Sequence, residues 1–324
     1  MITPDLLHEL VVLAGRAPSL HNTQPWRFGL DNGAVELRID PARVVPHADP
    51  RARETVIGCG AALYTLRLAL RGHGLVPSVD LTPASGDPLL LARVTAEPGP
   101  EATQDERRLL GVVVRRHTQR HGFTGDPLSP PLISAMARDA AAEGSTLVWV
   151  EEPASVSAVA GISLLAERMR ATNPRWRAEV ARWVDHDGDR PDGIPARSMP
   201  SPGAVETLDR LPVAQFVPRH LVGQGHPRLG SPGRIAVLTT PSDIVLDWVA
   251  AGQSLQRLLL RAADDWAFAA YNTAPLENPY LREEIRDALG LRDHPQMLFE
   301  VGHVAVARST PRLSPAETVD LRQD

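Results

Sequence analysis

Two short runs concentrate the residues able to do chemistry. The first, Arg16 to Phe28, reads RAPSLHNTQPWRF and sets a serine, a histidine, two amides and a tryptophan around Pro18 and Pro25. A plain connector needs turn residues and little else. This run adds hydrogen-bonding groups on a stiffened backbone, which suits the gripping of something planar and polar. The second, Val112 to Phe123, reads VVVRRHTQRHGF and places Arg116, Thr118 and Arg120 at alternate positions. In extended backbone, alternate side chains share one side. Two guanidinium forks would then flank a hydroxyl, a set suited to phosphate. A solvated basic face at a helix end accounts for the same spacing about as well.

Elements must carry these runs, and the composition bounds what they build. The chain has 324 residues, 43% of them hydrophobic, enough for a large core in two domains or one composite unit. A single cysteine, Cys59, allows no intrachain disulfide or cysteine-rich zinc site and fits a reducing, cytoplasmic setting. The N-terminal run has no basic leader, and no apolar stretch is long enough for a membrane span. A net charge of -5 argues against bulk nucleic-acid binding. All 34 basic residues are arginine, so any phosphate pocket must be built of guanidinium groups.

Along the chain, WRFGLDNGAVELRID reads as a hairpin turning at Asn32-Gly33. RETVIGCGAALYTLRLALRGHGL reads as a long helix stopped by Gly72 and Gly74, and PLLLARVTA as a strand. EATQDERRLLGVVVRRHTQRHGF begins as a helix and opens into loop near Arg116. SPPLISAMARDAAAEG, STLVWVE and PASVSAVAGISLLAERMR read as helix, strand and helix. From about 172 to 233 the text turns rich in Pro, Gly and Asp around one short helix, with Trp176, Trp183 and Phe216 as apolar anchors; such a segment is functional or disordered. GRIAVLTT, IVLDWVAAGQSLQRLLLRAADDW and QMLFEVGHVAVA then read as strand, helix and strand, before a polar tail.

Setting Gly60 beside Gly252 aligns Leu63 with Leu255, Leu66 with Leu258 and Leu68 with Leu260. Each of these helices lies between two strands. The echo points to a duplicated α+β unit whose central helices meet at a pseudo-twofold axis, as in a homodimer.

The two chemical runs together resemble motifs of the nitroreductase family of flavoproteins. An arginine segment there holds the FMN phosphate, and a loop of the P-S-x-x-N-x-Q-P-W type borders the flavin ring. Here the loop, Pro18 to Trp26, precedes the arginine segment, Arg115 to Arg120. That inverted order in a double-length chain is similar to the Acg-type branch, as are GIP at Gly193, AGQSLQRLLL, PQMLFEVG and TPRL. The resemblance implies an α+β pseudo-dimer of two nitroreductase-like halves, 1–105 and 106–324, with antiparallel sheets flanked by helices. Segment 172–233 would be an inserted lid over the flavin. One composite FMN site per chain would draw Pro18, Ser19, His21, Asn22 and Gln24 from the first half. Arg116, Thr118, Arg120 and Arg312, with Arg308 as a rival to Arg312, would come from the second. Ser19, Asn22 and Gln24 would fix the ring, and the arginines the phosphate. Thr118 replaces the usual serine and keeps the hydroxyl, while Leu313 and Glu300 depart from the branch and leave fewer phosphate-binding groups.

The expected activity is FMN-dependent reduction of nitroaromatic or quinone-like small molecules with NAD(P)H as donor, the flavin doing the chemistry without a catalytic side chain. The alternative is a non-catalytic protein that stores FMN beneath a closed lid. A monomeric pseudo-dimer or a further homodimer fits either. No metal site is expected, since Asp185 to Asp189 lacks the full spacing of a calcium loop. Ser19 and His21 lack the third group of a hydrolase triad. Cys59 reads as a core residue, Trp26 as a brace of the loop or a stacking partner of the flavin, and His21 as a hydrogen-bond donor or a second brace.

Overall fold

The computed structural model describes residues 2–81, 86–120, 122–185, 188–195, 233–307 and 309–320. In chain order its elements are α1 (Pro4–Ala14), β1 (Trp26–Asp31), β2 (Ala34–Ile39), α2 (Arg53–Gly72), β3 (Leu75–Leu81), β4 (Leu90–Pro98) and α3 (Gln104–Gly111). Next come α4 (Pro130–Ala142), β5 (Thr146–Val150), α5 (Pro153–Thr172), α6 (Pro174–Ala181), β6 (Val184–Asp185), β7 (Ile194–Pro195) and β8 (Arg234–Thr240). The chain finishes with α7 (Val245–Asp264), β9 (Ala267–Tyr271), α8 (Ala274–Glu277), α9 (Pro279–Ala288), β10 (His294–His303), α10 (Pro315–Thr318) and β11 (Val319–Asp320).

Two larger sheets organise these elements, in the orders β11-β1-β2-β4-β3 and β5-β8-β10-β9. Without β11 the two orders correspond strand for strand: two strands, a long helix and two strands, with α1 packed on α2 in one unit and α4 on α7 in the other. All pairings inside each unit are antiparallel. This is an α+β fold of two like halves. The hairpin β1–β2 turns at Asn32 and Gly33, both at positive φ as a tight primed turn requires.

The halves meet through α2 and α7, each 20 residues long and almost wholly buried. The alignment of Gly60 with Gly252 matches Arg53–Gly72 to Val245–Asp264 end for end, and these two glycines are where the helices cross. A Cβ on Gly252 would stand 2.0 Å from the Ile57 carbonyl oxygen, and one on Gly60 2.3 Å from that of Val249. Only glycine lets the backbones approach this closely. The aligned leucines 63, 66, 255, 258 and 260 are fully or almost fully buried beside them. Across the seam, Gln256 Nε2 donates to Thr65 Oγ1 at 2.9 Å.

The halves also exchange chain. Strand β11, from the end of the sequence, pairs in parallel with β1 of the first sheet, and Arg27 reaches Asp320 at 3.0 Å. The polar tail read from sequence thus closes a sheet edge. Strands β3 and β9 and helices α8 and α9 are further elements that the sequence reading passed over.

Candidate functional site

The loop from Gly15 to Pro25 is wound tightly between α1 and β1. His21, Asn22 and Gln24 all take positive φ (48°, 58° and 53°), a region that side chains rarely occupy and that must be held by its surroundings. The holding is explicit. Ser19 Oγ accepts from the Gln24 amide at 2.9 Å. Asn22 Nδ2 donates to the carbonyls of Gly193 at 2.9 Å and Pro311 at 3.2 Å, while its Oδ1 accepts from Arg312 at 3.0 Å. Gln24 Nε2 donates to Pro191 O at 2.9 Å, and its Oε1 accepts from the Leu313 amide at 2.9 Å. The loop seats on α2 at Gly58, where an added Cβ would touch Pro18 O and Ser19 Cβ.

These bonds engage polar atoms of Ser19, Asn22 and Gln24 within the protein. Three left-handed residues within four, His21, Asn22 and Gln24, need such anchors, and those of Asn22 and Gln24 come from distant chain. Asn22 and Gln24 are joints tying the loop to segments 191–193 and 311–313.

Residues 116–120 leave the turn after α3 and run beside β9. Thr118 bridges Ala269 in parallel, and the Gln119 amide donates to Ala269 O at 2.7 Å. His117 turns to Phe268, ring centroids 4.1 Å apart, and Gln119 to the Gly122 carbonyl. Arg116, Thr118 and Arg120 instead gather at the phenol of Tyr271, with Arg312 in the same field.

The loop and the arginine segment meet at one carbonyl. Arg116 Nη2 donates to Arg16 O at 2.6 Å, and Arg312 Nη2 donates to Arg16 O and Ala17 O, each at 3.3 Å. The remaining Nε and Nη1 of Arg116 and the Nε of Arg312 are buried without a hydrogen-bond partner among the described residues; Tyr271 stands beside Arg116 without a bond of good geometry. No carboxylate of the described residues pairs with Arg116, Arg120 or Arg312. Burial depresses all three guanidinium groups, Arg120 to about 10, with repulsion from Arg16 at Arg116, from Arg116 at Arg120 and from Arg116, Arg16 and Arg120 at Arg312, while the Tyr271 phenol offsets part of that loss. Burial, reinforced by Arg170 and Arg120, holds His21 down to about 3, so its ring is neutral at physiological pH. His117 is lowered to about 4, first by burial. Buried cations without counter-charges are costly, and an anion would relieve them.

The related position in the other half is built differently. There the link from α4 to β5 is only Glu143 to Ser145, and Gly144 sits against Ala250 of α7. Arginines on that side are matched by acids: Arg257 by Asp139 and Glu143, Arg261 by Asp139 and Asp105, and Arg67 by Glu143, all within 3.0 Å. The two sides of the pseudo-dimer are therefore unequal in charge.

Of the residues expected from sequence, the structure gathers Pro18, Ser19, His21, Asn22, Gln24, Arg116, Thr118, Arg120 and Arg312 around this junction. Arg308, Phe216 and most of the expected lid lie outside the described residues. Asp185 binds the amides of Gly188 and Arg190 in a polar turn. Sequence reasoning missed Tyr271, which ends a strand too short to stand out. It also missed Arg16, quoted in the loop but given no role. Among the described residues, no helix is long and apolar enough to cross a membrane, and no group of acids, histidines and cysteine could hold a metal.

No protein-family model matches the chain. The curated proteins similar to this chain include two from Mycobacterium tuberculosis H37Rv, each provisionally named as an NAD(P)H nitroreductase. One is acg, 28% identical over 321 residues, spanning 99% of this chain and 96% of that protein. The other is Rv3131, 28% identical over 331 residues, spanning 98% and 91%. Among solved structures, the FMN and NADPH-dependent nitroreductase NfnB of Sphigopyxis sp. strain HMH aligns with 67% of this chain and 99% of its own, at 15% identity and a TM-score of 0.44. A nitroreductase with bound FMN from Desulfitobacterium hafniense DCB-2 aligns with 67% and 98%, at 13% identity and a TM-score of 0.41.

Proposed function

Starting from a chain that is a nearly full-length relative of Acg-type, nitroreductase-like proteins, we propose that it is an FMN-dependent oxidoreductase that uses NAD(P)H to reduce planar, electron-poor small molecules such as nitroaromatics or quinones. The observation that carries this reading is the set of buried arginines without acid partners, joined to the strained loop at the Arg16 carbonyl.

The residues fit the phosphate of FMN. Arg116 and Arg312 have unspent N–H groups, Thr118 has a hydroxyl, and Arg120 adds charge at the same place. A charge-assisted hydrogen bond contributes about 1.5–3 kcal/mol, so a few such bonds would anchor the ligand firmly. Pro18, Ser19 and His21 belong to the loop that would border the ring, and Asn22 and Gln24 would hold that loop in shape. His21, kept neutral, could exchange a hydrogen bond with the ring without adding charge. FMN, when bound, would supply the hydride chemistry; no side chain need act as acid or base. In a chain without lysine, any positive charge near the ring would have to come from arginine.

Fluorescence titration with FMN tests the site. Arg116→Ala and Arg120→Ala should each weaken binding by about tenfold to a hundredfold, and together should abolish it. Unchanged affinity in the double variant would remove the assignment. Steady-state NADPH oxidation with a quinone acceptor separates the enzyme from a storage protein, which would hold FMN stoichiometrically and turn over nothing.

A further inference from the structure

The loop touches a second assembly: Leu20, beside His21, packs into the cluster that holds Trp176, over whose ring Arg170 of α5 lies, and His21 feels the charges of Arg170 and of Arg120. Arg170 belongs to this buried assembly, which the proposed chemistry does not use. It pairs with Glu167 at 3.1 Å, contacts Glu277 directly, and lies over the Trp176 ring with 5.3 Å to the centroid. Next to it, at the start of α2, Arg53 pairs with Glu54 at 3.2 Å and donates to the Gln296 carbonyl. Asp49 spends its two oxygens on the amides of Glu54 and Thr55. The next cations, Arg51 and Arg282, are held by Asp243.

Three carboxyl groups, those of Glu54, Glu167 and Glu277, thus share the guanidinium groups of Arg53 and Arg170, and Asp49 adds a fourth acid beside Glu54. Asp49, Arg53, Glu54 and Glu167 are all at or below 5% exposed, and Glu167 Oε2 and Arg170 Nε have no hydrogen-bond partner among the described residues. Ionising every acid would leave uncompensated negative charge where water cannot screen it, so the cluster must retain protons. Burial accordingly pushes Glu54 and Glu167 up to about 7 and Glu277 well above the ordinary carboxylate range, against the pull of Arg53 and Arg170.

We propose that Glu54, Glu167 and Glu277, gathered about Arg170, form a proton-holding cluster coupled through His21 to the anion site, so that an anion binding against Arg116 and Arg120 draws protons into it. The inference rests on reading that site as phosphate-binding. An added anion makes the local potential more negative, which raises the proton affinity of nearby buried acids. By reciprocity, protonating the cluster strengthens anion binding.

Calorimetric titration of the full-length chain with FMN, in buffers of different ionisation enthalpy at about pH 7.5, counts the protons exchanged. A phosphate ester entering an arginine cluster sheds its own residual proton, so ligand and cluster act with opposite sign. The wild-type chain should take up more protons than Glu277→Gln or Glu167→Gln, by roughly a few tenths of a proton. Equal counts in all three proteins would overturn the coupling. Infrared spectroscopy of the ligand-free wild-type chain requires no variant to fold. A protonated-carboxyl C=O band that fades between about pH 6 and 8 is expected, and its absence at about pH 6 would overturn the cluster itself. Inorganic phosphate serves as a second titrant. Proton uptake with phosphate alongside refusal of FMN would keep this inference and sink the flavin reading.

Discussion

At the scale of single residues, the site is defined by which charges lack partners. Arg116, Arg120 and Arg312 face one another and a phenol, whereas the arginines of the opposite side are saturated with acids. The alternation of Arg116, Thr118 and Arg120 was legible because a run of extended chain imposes its own period of two. What Asn22 and Gln24 do was not legible, since their partners Pro191, Gly193, Pro311 and Leu313 lie far away in sequence. The buried acids make a prediction at this scale. Glu167, at about 7 in the folded protein, holds a proton that the unfolded chain gives up at lower pH. Its contribution to stability is therefore fully present below the ordinary carboxylate range and is lost as pH rises through about 7. Urea denaturation of wild type and Glu167→Gln should show wild type losing stability relative to the variant between about pH 5 and 8. A difference that stays flat with pH would mean that Glu167 is ionised throughout.

At the scale of elements, the crossing of α2 and α7 and the clasp of the C-terminal segment position the two halves of the site. The helices were readable from apolar spacing, and the glycine echo between them from the sequence alone. Strand β3 was hidden by Pro77, β9 by its five small and aromatic residues, and β11 by having only two. Gly252→Val should cost about 3 kcal/mol or more, because the new side chain meets the Ile57 carbonyl at the crossing and the helices must separate. An unaltered denaturation midpoint would show that the crossing is loose. Deleting everything after Leu313 keeps each proposed FMN contact but removes α10, β11 and the Arg27–Asp320 pair. Retained far-UV dichroism with FMN affinity lowered by about tenfold is expected, because the loop then loses the strand pairing that steadies β1. Full affinity in the truncated chain would make the clasp dispensable to the site.

At the scale of the whole molecule, duplication has produced two like halves that are put to different uses. One side keeps an eleven-residue loop from Gly15 to Pro25 and an arginine segment laid along β9; the other has a three-residue link and a closed network of ion pairs. A symmetric pair of sites is therefore not expected, and one flavin should bind per chain. The doubling of the fold could be read from the sequence because helix periodicity repeats in order. The inequality of the sides could not, since it depends on which arginines find acids across the seam. The most direct measurement is a visible absorption spectrum of the chain after reconstitution with FMN and removal of free ligand, repeated after anaerobic addition of NADPH. One flavin retained per chain, bleaching on addition, is the predicted result. A chain that retains no flavin would contradict the central claim.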